Sequence, residues 1–177
     1  MTSSTYVKTN GQNVVEVYPY GIANLMYENP EVSFPVPIPD STLAVYNVYP
    51  VEDTPQPDYD PMTQNLALID PTRQSNVWIQ RWSVTEATPA EQQERLDAWR
   101  ASTSCTPLQG KIELDNQGLL DDAETIVAAA DRVTKLAWAN ATIWYRTSPM
   151  IETIGTELSL SPTDLDNLFK AAQLIAV

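Results

Sequence analysis

Apolar residues along this chain repeat at two different spacings, and the spacing changes near the middle. In the first half the apolar runs are short and alternate with polar residues, as strands do. Tyr6-Val7-Lys8 and Val14-Val15-Glu16-Val17 flank Asn10-Gly11, the preferred pair for a two-residue type I′ turn, which needs φ > 0 twice. The pattern predicts a β-hairpin over residues 5–17. Ile22, Leu25 and Met26 then stand at helical spacing, and Asn29-Pro30 stops that turn of helix. Alternating Pro35, Pro37 and Pro39 predict extended chain over 31–39. Asp40 is an expected N-cap for a short helix through Leu43 to Tyr46, with Asn47 as the left-handed residue that ends it. Val48-Tyr49-Pro50-Val51 is expected as an edge strand, because proline lacks a ladder donor. After a polar, proline-rich turn region over 52–63, two strands are expected at 64–69 and 77–84. In the second, Val77, Ile79 and Arg81 share one face, and Trp78, Trp82 and Val84 the other.

The second half turns helical. Thr88-Pro89-Ala90-Glu91 has the form of a capping box with proline at the first helical position. It predicts about three turns through Leu96 and Trp99 to Arg100, with few apolar residues, so a helix on a surface or bridging two parts. ASTSCTPLQG, residues 101–110, reads as a linker. From Leu119 onward Ala123, Ile126, Val127, Ala130, Val133, Ala137, Ala141 and Trp144 recur every three or four positions, with a break near Asp131. Ser148-Pro149 and Ser161-Pro162-Thr163-Asp164 start two more helices, the last with an apolar stripe of Leu165, Leu168, Phe169, Ala172 and Ile175. The reading is an α+β protein: a β-rich domain over 1–100 with hairpins and short helices, ending in the bridging helix; a linker over 101–115; and a three- or four-helix mini-bundle over 116–177.

Composition sharpens this picture at one stretch. Residues 18–51 hold five of the eight tyrosines and six of the fourteen prolines. Such a run is too rich in proline for a regular helix or central strand and too aromatic for a disordered linker. A rigid, irregular segment pinned by rings is expected, suited to binding another chain or to wrapping a small core. Tyrosine offers large contact area with few rotors to freeze. The expected partner-binding residues are therefore Tyr18, Tyr20, Phe34, Tyr46 and Tyr49, with Trp78 and Trp82 as a further aromatic pair. Two tryptophans on one strand face usually mean core packing, and a sugar-stacking or protein-binding platform is the rarer reading.

Charge points the same way. The net charge is −13, and no basic residue lies between Lys8 and Arg73. Nucleic-acid binding requires cations that displace condensed counterions, so it is not expected. No apolar run is long enough to span a membrane, and MTSSTYVKTN is not a secretory leader. Cys105 is the one cysteine; it excludes an intrachain disulfide and is either an inert thiol, accessible in the expected linker, or one that pairs with a second chain.

Candidate chemistry is sparse. The chain has no histidine, the commonest general base and metal ligand. Its five glycines are scattered rather than grouped in a phosphate loop. Glu52, Asp53, Asp58, Asp60 and Asp70 could supply a carboxylate pair for glycoside hydrolysis, or Asp58-Tyr59-Asp60 a calcium ligand set without the EF-hand pattern; solvated acidic loops are the simpler reading.

The order of short motifs carries a resemblance. Tyr18-Pro19-Tyr20 is followed by Leu25 with Glu28-Asn29-Pro30, then Ser33-Phe34-Pro35, Val48-Tyr49-Pro50-Val51, Asp58-Tyr59-Asp60-Pro61 and Trp78-Ile79-Gln80-Arg81-Trp82. Over roughly residues 5–100 this resembles the N-terminal module of small tail-fibre assembly and tail-associated proteins of tailed bacteriophages. The C-terminal part, around Trp138-Ala139-Asn140-Ala141-Thr142 and Leu165 to Phe169, is similar to helical tails of phage and prophage proteins, whereas many family members end in a different helical segment. The resemblance implies a chaperone or adaptor that binds a fibre or baseplate protein in the host cytoplasm during assembly, or a permanent part of the virion tail. It implies no cofactor, no metal and no catalytic residue. Self-association is a further expected contact, and a glycan-active tail enzyme a distant alternative.

Overall fold

The structure is a computed structural model that describes residues 5–176. The opening MTSS of the leader reading and the final residue of the expected bundle lie outside the described residues. The chain is α+β and divides into two compact units, 1–88 and 89–177.

The first unit is built on a five-stranded sheet. Its strands are β1 (Tyr6–Thr9), β2 (Val15–Tyr20), β3 (Val48–Glu52), β4 (Gln64–Gln74) and β5 (Val77–Glu86), in the order β2-β1-β3-β5-β4. All neighbours are antiparallel except β3 and β5. Two short helices, α1 (Ile22–Glu28) and α2 (Asp40–Val45), join β2 to β3.

The hairpin of β1 and β2 forms, but Asn10-Gly11 is not its type I′ turn. The Asn10 Oδ1 accepts from the N–H of Gln12 and of Val14, and Asn13 takes the left-handed position at φ 60°. This side-chain capping makes a longer loop cheaper than a second positive φ. The I′ geometry occurs instead at Ser75-Asn76, with φ of 47° and 70°, between β4 and β5. These strands run on through Asp70–Gln74, where a loop was expected. Pro71 is tolerated because the register shifts between Ile69 and Thr72, where a bulge needs no donor.

β3 is central, not an edge. Its bonds to the β1 side come from Asn47 O, which accepts from Thr9 N, and Val51 N, which donates to Thr5 O. Alternation along the strand turns the Pro50 nitrogen to the other side. There the parallel pairing involves only Val51 and Glu52, so no donor is missed. α2 ends as expected on Asn47, at φ 58°. Its N-cap, however, is Pro39, and Asp40 is the first helical residue, with no side-chain cap.

Two apolar clusters hold this unit. Tyr20, Leu25, Leu43 and Val48 gather with Phe34, Ile38 and Tyr46. Val7, Val51 and Trp78 gather with Val15, Tyr18 and Tyr49. Val48 and Val51 sit an odd number of residues apart, so β3 feeds both clusters from opposite faces.

The second unit is helical: α3 (Pro89–Ser102), α4 (Pro107–Asn116), α5 (Leu120–Ala129), α6 (Arg132–Asn140), α7 (Pro149–Glu157) and α8 (Pro162–Gln173), with a two-stranded ribbon of β6 (Ser104–Cys105) and β7 (Trp144–Tyr145). The linker expected over 101–115 is therefore ordered structure inside this unit. Thr106-Pro107-Leu108-Gln109 closes a full capping box on α4, and Cys105 pairs with Trp144 in the ribbon. Asp131 caps α6 through the N–H groups of Val133 and Thr134, and Ser161 with Asp164 closes the box on α8. The core gathers Leu114, Ala123, Val127, Trp138, Trp144, Ile151, Ile154, Leu168 and Phe169. Among the described residues no helix is long and apolar enough to cross a membrane.

Candidate functional site

Of the seven rings expected to face a partner, Tyr20 and Trp78 are buried, and Tyr18, Phe34, Tyr46, Tyr49 and Trp82 are half-buried. Tyr20 is 3% exposed and Trp78 4%. Phe34 and Tyr46 meet edge to face at 5.4 Å, and Tyr49 lies 6.5 Å from Trp78. The Tyr18 hydroxyl is buried without a hydrogen-bond partner. The physical reason is supply: a small unit has few aliphatic side chains, and each ring buries a large area. Trp82 does not form a free platform either. Its Nε1 donates to Thr54 O at 3.2 Å, while Gln80 accepts from the Thr54 N–H and hydroxyl through its side chain and its carbonyl. This face of β5 pins the proline-rich segment after β3.

Tyr20 is further fixed at its polar end. Its hydroxyl donates to Glu28 at 3.1 Å, and Lys8 bonds the same carboxylate and lies over the Tyr20 ring. Burial, then the Glu28 bond, pushes the Tyr20 phenol up to about 12.

Cys105 is buried, at 5% exposure. Burial pushes its thiol up to about 11. A protonated, covered thiol is a poor partner for an intermolecular disulfide, so the expected bridge is not supported by its position. Asp60 organises its own turn, accepting from Met62 N–H and the Thr63 hydroxyl, which hold its carboxyl below the usual range. Among the described residues no group of three or more His, Cys, Asp or Glu is placed to hold a metal.

What the first unit does present is a cleft of about 600 Å³ beside β3. Tyr6, Tyr49 and Trp78 form aromatic wall, and Asp40 and Glu52 bring carboxylates to it. The chain positions each for a local reason. Tyr6 and Tyr49 come from the paired strands β1 and β3. Glu52 ends β3 opposite Ile79, and Asp40 opens α2, where a negative side chain meets the positive end of the helix. No Lys or Arg lines the cleft. The Trp78 Nε1 has no hydrogen-bond partner among the described residues, a deficit that generally costs about 1–3 kcal/mol. Of these residues the sequence singled out Tyr49 and Trp78 as rings and Glu52 as a carboxylate. Tyr6, Asp40 and Glu52 carried no signal as a group, because the fold brings them together from distant positions.

The second unit holds a charge cluster that no sequence spacing revealed. Asp166, 4% exposed, accepts from Arg100 Nε and Nη2 and from Arg146 Nε at 2.8 Å. The Arg146 Nη2 also donates to Pro162 O. An adjoining hollow of about 310 Å³ is lined by Arg100, Arg146 and Glu152 among others. Both guanidiniums are committed to Asp166, so the cluster reads as a tie between α3, the β7 end and α8. The chain matches no family model, no curated protein and no solved structure in the comparisons made.

Proposed function

We propose that this chain is a protein-binding component of bacteriophage tail-fibre assembly, a chaperone or adaptor that engages a fibre or baseplate protein. The motif order from Tyr18-Pro19-Tyr20 to Trp78-Ile79-Gln80-Arg81-Trp82 supports the phage setting. The observation that carries the binding reading is the cleft beside β3, whose rings and carboxylates are recognition chemistry rather than a reacting constellation. The contact surface proposed here is centred on the cleft, which keeps Tyr49 and Trp78 of the expected rings, and extends to the exposed Tyr27, Val36 and Val45 in the same unit. Co-expression with the fibre protein of the same phage tests this. A complex that survives size exclusion is expected; a fibre protein that elutes alone would contradict it.

A second reading is a permanent part of the virion tail. Val133, Leu136, Ile143 and Tyr145 of the second unit are exposed, between 46% and 76%. Apolar residues held in such number at a surface suit one that stays covered after assembly. Mass spectrometry of purified particles separates the two, since a transient chaperone is absent from them.

A further inference from the structure

We propose that the cleft beside β3 is a receptor for one basic side chain, lysine or arginine, carried on an extended segment of the partner protein. The inference rests on the binding reading above for its partner and deepens it. Aromatic faces carry negative potential and attract a cation placed over them. Tyr6, Tyr49 and Trp78 provide such rings in one cleft, and Asp40 and Glu52 add two carboxylates. Charge-assisted bonds to a carboxylate are among the strongest a cation makes.

Among the described residues the protein supplies no basic partner to the two carboxylates of this wall. No basic residue lies between Lys8 and Arg73. Lys8 is held by Glu28 and covers Tyr20. Arg73 is held by Asn13 and lies over the Tyr49 ring, 5.8 Å from its centre, yet is no part of the cleft lining. Arg73 thus covers part of Tyr49, while among the described residues Asp40 and Glu52 make no ion pair and keep their charge for an incoming cation.

One further observation favours a peptide over a free cation. The lining between the charges is apolar, with Pro37, Ile38, Pro50 and Val51, which suits the residues flanking a basic side chain. Acidic clefts also steer basic partners toward docking.

The test uses the full chain and three capped peptides: acetyl-Pro-Arg-Val-amide, its citrulline counterpart with the same shape and no charge, and its glutamate counterpart. Binding is followed by the Trp78 indole signal in nuclear magnetic resonance, assigned with Trp78→Phe or, should that variant not fold, by through-bond assignment of the wild type. The arginine peptide is expected to shift this signal and bind at least about tenfold tighter than the citrulline peptide, with the glutamate peptide weakest. In the Asp40→Asn/Glu52→Gln chain, whose changed side chains are exposed at the cleft, that preference should fall below about threefold. Equal binding of arginine and citrulline peptides, or an unmoved Trp78 signal, overturns the inference. The peptide result decides the matter whether or not a fibre complex forms. Loss of the charge preference with the complex intact overturns this inference alone.

Discussion

At the scale of single residues, two glycines show how close the second unit is packed. A Cβ on Gly110 would stand 2.5 and 2.6 Å from ring atoms of Trp144, and one on Gly155 2.5 Å from a Leu165 methyl. Both glycines are helical, so alanine gains up to about 1 kcal/mol of propensity at each. Overpacking costs about 1–3 kcal/mol and should win at both sites. The Trp144 ring, 2% exposed, has nowhere to retreat. Gly110→Ala should therefore lower the denaturant midpoint more than Gly155→Ala. Asp166 is the second sensitive residue. Asp166→Asn leaves the buried Arg146 guanidinium without its anion, and breaking such a pair costs about 3–5 kcal/mol; urea melts check this. Tyr20 gives a pH signature. Its folded value is raised from 10.0 to about 12, so the folded state holds the proton longer than the unfolded chain. Its contribution is full below pH 10 and is lost as pH rises toward 12. Tyr20→Phe should flatten this alkaline loss in melts followed across that window. None of these contacts was legible beforehand. Asp166 stands in the sequence as one acid beside an apolar stripe, and the two arginines that hold it are 66 and 20 residues away.

At the scale of elements, the sequence spoke clearly wherever a signal was local. The helix starts at Ser148-Pro149 and Ser161-Pro162 stand where their caps imply. The start at Thr106-Pro107 carries the same signature as Thr88-Pro89 but is masked by the polar run before it. Turn chemistry was half legible. Asn10-Gly11 promised the tight turn, yet the Asn10 side chain builds a longer loop, and Ser75-Asn76 takes the I′ conformation that Asn-Gly would suit better. Two consequences are measurable. Asn76→Gly should stabilise the β4–β5 hairpin by up to about 1 kcal/mol, because the left-handed conformation is nearly free for glycine. Gly11→Ala should be close to neutral, since nothing lies within 4 Å of the added Cβ and Gly11 is not among the residues at positive φ. Thermal melts of the two variants should move in these unequal ways. Strand order was not legible at all. Pro50 reads as an edge marker, and only the alternation of backbone donors explains how β3 sits between β1 and β5.

At the scale of the whole molecule, the change from alternating to helical spacing correctly gave the α+β class, while the boundary lies at 88/89 rather than in the polar run after α3. That run looked like a linker because its apolar members are few. Cys105 and the Thr106 cap nonetheless tie it to Trp144 and α4. A chain of residues 89–177 should accordingly melt cooperatively, whereas one of 103–177, lacking Arg100 of the buried cluster, should melt lower or without cooperativity. The candidate site was legible only as chemistry. Tyrosine, proline and one-sided charge suggested a binding surface, but long-range pairing decided that Tyr20 and Trp78 are buried and that a cleft of rings and carboxylates remains. In the function proposed above, this chain binds a fibre or baseplate protein through that cleft. Light scattering on the size-exclusion peak from the co-expressed pair tests it most directly. The account predicts one peak whose mass is the sum of both chains in fixed ratio, shifted toward the separate components by Asp40→Asn/Glu52→Gln. Two peaks at the masses of the separate proteins, with wild-type chain and variant alike, would contradict it.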